Sequence, residues 1–188
     1  MIKTIRICGD PVLREKSGPV DKVDSYVRNL VADMFETMYR DRGVGLAAVQ
    51  VGVPLRLFIV DTSQHGGGRL VLINPKITRL DGTQLGDEGC LSVPGLVGEV
   101  KRAYTAGFEA VGLDGEPIAG EASELTARAV QHENDHLNGI LFIDHLSDEQ
   151  RKALARDLKR LKKEWKRIER GEVVVESILD DLAPGTEL

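Results

Sequence analysis

Gln131-His132-Glu133-Asn134-Asp135-His136-Leu137 is the stretch that decides how this chain is read. Apolar residues at helical spacing before it and Gly139 after it predict a helix over about residues 123–138. His132 and His136 are four apart, so their rings share one helical face, which Leu125 and Ala129 continue towards the N-terminus. That face points into a core, where two neutral imidazoles can hold one metal ion. Glu133 lies about 100° further round the helix. There it can take a proton from water that the ion acidifies, without itself ligating. The competing reading is a plain core helix whose histidines are hydrogen-bonded, since chance HExxH matches occur.

Two histidines leave a site incomplete. A catalytic ion takes three protein ligands and keeps an open position. In the long zinc-endopeptidase pattern HExxHxxGxxH the third histidine would stand at position 142, which is Phe142 here, so that class is disfavoured. The remaining candidates are His65 beside a triple-glycine loop, His145 in a turn, Cys8 and Cys90. Cys90 sits in Glu88-Gly89-Cys90-Leu91-Ser92, a tight acidic loop, and a thiolate there would complete a Cys-His-His site. Cys8, in the apolar run IRICG, reads as a small core residue.

Further out, Val27, Leu30, Val31, Met34, Phe35 and Met38 mark a helix over 24–40, capped by Asp24 or Ser25. Strand-like segments follow at 55–61, 70–74, 76–85, 99–103, 105–113 and 117–121, with a hairpin turn at Asp114-Gly115. A last helix runs over 148–170. Many short strands, few helices and no βαβ alternation predict an α+β fold: antiparallel sheets packed around the HExxH helix, flanked by an N-terminal and a C-terminal helix. The 188 residues divide into a catalytic domain over 1–147, an amphipathic basic helix over 148–170, packed on that domain or extending from it, and an acidic, partly mobile tail over 171–188. A net charge of −5 argues against DNA as a partner. Two cysteines exclude a disulfide scaffold, and no apolar run reaches membrane-spanning length. The N-terminus carries no signal or transit pattern, so a cytoplasmic setting and a monomer are expected.

Three segments, in this order, resemble the motifs of the peptide deformylase family: Gly43-Val44-Gly45-Leu46-Ala47-Ala48-Val49-Gln50, Glu88-Gly89-Cys90-Leu91-Ser92 and Gln131 to Leu137. The similarity runs over about residues 1–147, with no departure at any motif position. It implies removal of the N-formyl group from the methionine of N-formylmethionyl peptides, with formate as co-product. It implies Cys90, His132 and His136 as ligands of one divalent ion, Fe(II) natively, with Zn(II), Ni(II) or Co(II) as substitutes. Water on that ion is the nucleophile, and Glu133 is the general acid and base. The resemblance assigns the Gln50 side-chain amide and the Leu91 backbone N–H as oxyanion donors. The loop around Val44 and Gly45 would pair with the extended substrate. Val44, Leu125 and Ala129 would line the methionine pocket, although Val44 and Leu125 read equally well as core residues. Gln131 and Asp135 are candidates for hydrogen bonds that fix the imidazoles or the Cys90 loop, with Arg102 as partner of Asp135 and Glu88 orienting the loop.

Residues 151–170 carry a net +7, and Leu154, Leu158, Leu161, Trp165 and Ile168 form an apolar stripe at helical spacing. A helix packed on the domain with a solvated basic face accounts for this. The alternative is that the basic face contacts ribosomal RNA. Two other functions compete with the deformylase: a zinc peptidase cutting internal bonds, opposed by Phe142 and the Cys90 loop, and a non-catalytic relative, opposed by the presence of Glu133 and Gln50.

Overall fold

The computed structural model describes residues 1–175. The expected tail therefore lies mostly outside the described residues. Three helices, α1 (Ser25–Arg40), α2 (Glu124–His136) and α3 (Asp148–Glu169), accompany seven strands: β1 (Gly45–Ala47), β2 (Leu57–Asp61), β3 (Arg69–Asp81), β4 (Gln84–Gly89), β5 (Val97–Arg102), β6 (Thr105–Val111) and β7 (Pro117–Ser123). Among the described residues these strands pair antiparallel throughout, in a five-stranded sheet of order β1-β2-β3-β6-β7 and a two-stranded ribbon β4-β5. Among the described residues the fold is thus α+β, with antiparallel sheets and three helices.

Alternation along β2 sets the layers. Leu57 and Ile59 face α1, packing with Leu30, Val31, Met34 and Met38. Phe58 and Val60 face α2, packing with Ala127, Ala129 and Val130. Asp24 caps α1, its carboxylate accepting from the Val27 N–H at 3.0 Å. A third cluster joins Leu13, Val93, Val100, Leu141, Phe142 and Leu161, closing the other side of the molecule with α3. The α3 stripe seats Leu161 and Trp165 fully and Leu154, Leu158 and Ile168 in part. Among the described residues no helix is long and apolar enough to cross a membrane.

The strand expectations need three corrections. Segments 70–74 and 76–85 are not separate: β3 runs through Pro75 by two register shifts, at Ile73/Lys76 and Ile77/Arg79. Asn74 takes φ 51° there, and its side chain accepts from the Val20 N–H and donates to the Val20 carbonyl. A bulge spares the ladder the missing proline N–H. β1, expected as part of the loop around Val44 and Gly45, is a three-residue edge strand, too short to show a period. β4, with Gly, Asp and Glu at four of six positions, carries no apolar alternation either.

Gly139 stops the chain just past α2 at φ +72°, and a Cβ there would lie 2.5 Å from the Arg14 carbonyl oxygen. Gly139→Ala is therefore expected to destabilise the fold by about 2 kcal/mol or more, seen as a lower denaturant midpoint at unchanged slope.

Candidate metal centre

α2 places His132 and His136 one turn apart, ring centroids 5.0 Å from each other. Cys90 follows β4, its Sγ 3.3 Å from His136 Nε2. One donor atom from each of Cys90, His132 and His136 lies within 4.8 Å of the others. Ligands of one ion at the usual metal–sulfur and metal–nitrogen lengths stand about 3.3–3.7 Å apart, so this set closes on an ion with small adjustments. His132 Nδ1 lies 3.0 Å from Glu88 Oε2. A carboxylate only accepts, so Nδ1 carries the proton and Nε2 is turned towards Cys90. Burial works against charge on both rings. The Cys90 sulfur and the Glu88 carboxylate nevertheless hold His132 well above the usual histidine range. Burial, with the positive charge of His132 and Arg102, holds His136 well below it. Such surroundings favour a cation at His132 Nε2 and a neutral donor at His136. The residues present fit a divalent ion.

His65 and Cys8 take no part in this cluster. Phe142, where the endopeptidase pattern would need histidine, is buried and stacks on the His132 ring at 6.3 Å.

Glu88 is the anion behind this cluster. It accepts from Arg102 Nε (2.8 Å) and Nη2 (3.0 Å) and from Arg128 Nη1 (2.8 Å), as well as from His132. Burial pushes its carboxyl up, but His132 and Arg102 outweigh burial and hold it well below the usual carboxylate range. Arg102 also donates from Nη1 to Asp135 Oδ2 at 2.6 Å. Sequence reasoning misses Arg128. Its signal is its place one turn before His132 on a buried helix face, where a guanidinium needs an anion. Gln131 needs a correction: it reaches neither imidazole nor the Cys90 loop. One residue round the helix from His132, it accepts from the Ala103 N–H and donates to the Ala103 and Ala127 carbonyls. Asp135 likewise touches no imidazole of the ligand pair.

Around the triad stand further polar groups, two of which, the Leu91 N–H and Glu133 Oε2, have no hydrogen-bond partner among the described residues. Gln50 is buried in the 3-10 turn after β1. Its Oε1 accepts the Ala47 N–H at 2.7 Å, which fixes the amide and turns Nε2 towards Ser92 Oγ (3.2 Å) and Cys90 Sγ (3.5 Å). The Leu91 backbone N–H has no acceptor among the described residues. Glu133 is buried, and its Oε2 has no hydrogen-bond partner. Burial raises its carboxyl, His132 opposes and Glu88 reinforces, leaving it at about 7. Gly45 brings the β1 backbone against this carboxylate: a Cβ there would lie 2.5 Å from Glu133 Oε1. β1 is an edge strand, and the Val44 carbonyl is turned inward to the Asp61 N–H, so the Gly45 amide groups face outward. Val44, Leu125 and Ala129 are half-buried, half-buried and buried respectively, and Val44 and Ala129 belong to the α2-side core.

The polypeptide deformylase family model matches residues 2–152. The peptide deformylase of Alkalilimnicola ehrlichii is 47% identical over 161 residues, covering 85% of this chain and 90% of its own length. The crystal structure of the peptide deformylase from Thermus thermophilus superposes with a TM-score of 0.81 at 41% identity, covering 87% of this chain and 99% of that one. Peptide deformylase 1B of Arabidopsis thaliana, solved in complex with an inhibitor, gives a TM-score of 0.83 at 37% identity over 93% and 99% of the two chains.

Two outcomes are expected of this geometry. Gly45→Ala should push Glu133 aside, lowering turnover at least about tenfold while bound metal, counted by elemental analysis, stays at one per chain. Because the Glu88 carboxyl is depressed, it stabilises the fold above its ordinary value of about 4.5 and loses this effect as the pH falls below that value. Glu88→Gln should cost about 3–5 kcal/mol at neutral pH. In urea melts the gap to the parent protein should narrow from about pH 5 towards pH 2.

Proposed function

The chain belongs to the polypeptide deformylase family, hydrolases that remove the N-formyl group from nascent peptides, and from this premise we propose a residue-by-residue mechanism. The observation that carries it is the convergence of Cys90, His132 and His136 with a buried carboxylate and two N–H donors. Cys90 Sγ and the two imidazoles would hold one divalent ion, which supplies Lewis acidity and an acidified water as nucleophile. Soft sulfur with two nitrogens suits Fe(II) or Zn(II), and Fe(II) is the proposed native ion. α2 is then the metal-binding helix about which the sheets are arranged.

Glu133 accepts the water's proton and returns it to the leaving amine, and a carboxyl at about 7 can do both near neutral pH. Gln50 Nε2 and the Leu91 N–H donate to the oxygen that becomes negative as the carbonyl turns tetrahedral. An amide is suited to this beside a carboxylate because it does not titrate. The outward Gly45 amide groups pair with the substrate main chain as an added strand, which reads any sequence alike. Val44, Leu125 and Ala129 take the methionine side chain. Glu88, Arg102 and Asp135 hold the ligands in place.

Residues 1–147 form the catalytic unit. α3 is seated on it and turns Lys152, Arg156, Lys159, Lys163 and Lys166 to solvent. That basic face supports a contact with ribosomal RNA, at the source of the formylated chains, by a monomer in the cytoplasm.

Glu133→Ala should keep one metal per chain and lose formate release from a formyl-methionyl peptide by at least about 10³-fold. Gln50→Ala should lower kcat by about 10²-fold. Near-normal turnover by Glu133→Ala would reject the assigned base.

A further inference from the structure

His145 stands apart from the metal donors, at the far end of a chain of charged groups that leads from solvent to His132. Its Nε2 lies 2.7 Å from Asp135 Oδ2. The same oxygen accepts from Arg102 Nη1, and another edge of the guanidinium, Nε and Nη2, donates to both oxygens of Glu88. Glu88 in turn holds His132 Nδ1. Side-chain exposure falls inward along the chain, from 36% at His145 to 16% at Asp135, 6% at Arg102 and 3% at Glu88.

We propose that His145 is a positioning residue for the ligand His132, acting through Asp135, Arg102 and Glu88. The inference rests on His132 being a metal ligand.

The donor directions are forced. His145 Nε2 lies 2.7 Å from Asp135 Oδ2 and 3.4 Å from Arg102 Nη1; the carboxylate only accepts, so the shorter contact has Nε2 donating to Asp135. The guanidinium binds Glu88 through Nε and Nη2, so its Nη1 bond to Asp135 is what fixes its tilt. Asp135 is partly open to water, and the His145 donor holds its carboxylate at the angle Arg102 needs. His145 itself is held by a rigid turn. Its N–H donates to the Phe142 carbonyl at 3.0 Å, and the neighbouring Asp144 is tied to Arg14 and to the Leu141 N–H. Without the imidazole, water would compete for Asp135, Arg102 would tilt, and Glu88 would lose its hold on the proton of His132 Nδ1. That proton sets both the direction and the basicity of Nε2.

The test compares His145→Ala and His145→Gln, whose side-chain amide can still donate, in full-length protein loaded with Co(II) or Zn(II). Two readouts apply: the rate of metal loss to a chelator, and the Co(II) absorption spectrum. His145→Ala should lose metal about three- to tenfold faster, below the roughly 10–100-fold typical of a group bonded directly to a ligand, and shift the Co(II) bands. His145→Gln should stay within about twofold of the parent protein, with its spectrum. An unchanged off-rate and spectrum in His145→Ala would overturn the proposal. So would a His145→Gln variant as impaired as His145→Ala. A parent protein that takes up no Co(II) at all would remove the ligand assignment, and this inference with it.

Discussion

A single buried anion organises the centre of this molecule. Glu88 cannot stay ionised at 3% exposure without partners. Its three partners come from two elements: Arg102 at the end of β5, and Arg128 and His132 one turn apart on α2. The ribbon and the helix are thereby locked in one register. Cys90, two residues beyond Glu88, must then sit against His136. Buried ion pairs contribute little net stability, but breaking one is costly. Here the pairing selects one arrangement of Cys90, His132 and His136, the arrangement to which the proposed chemistry is assigned.

The edge strand β1 supplies the other half of the site. Being short and unpaired on its outer side, it leaves the Gly45 amide groups free while bringing its backbone against Glu133. The turn after it carries Gln50, oriented by the Ala47 N–H. One local segment therefore positions a main-chain docking edge and an amide donor beside the metal donors. On the proposed reading, main-chain pairing at this edge suits nascent chains that share one first residue.

How much was legible in the sequence depended on the range of the forces involved. The three helices show through their apolar periodicity and caps, with Asp24 and Gly139 at the expected ends. His132 and His136 were legible because helical spacing alone makes them neighbours. Cys90 needed its loop motif, since a contact across 46 residues leaves no periodic trace. β4 was hidden because its inward positions hold Gly86 and the charged Glu88 instead of apolar residues. β3 was split at Asn74-Pro75 because the bonds that carry it through come from Val20, far away in sequence. Arg128 and His145 went unassigned for the same reason: a charged side chain announces that it needs a partner but not which one. Gln131 lies beside a ligand in sequence, yet the helix turns it towards Ala103.

The central claim is that hydrolysis of a formyl amide depends on an ion held by Cys90, His132 and His136. The direct measurement is formate release from a formyl-methionyl peptide, with protein purified without oxygen and its metal quantified. Rapid turnover that disappears on chelation and returns with stoichiometric Fe(II) is the predicted result. No formate from protein carrying a full complement of metal would contradict the account.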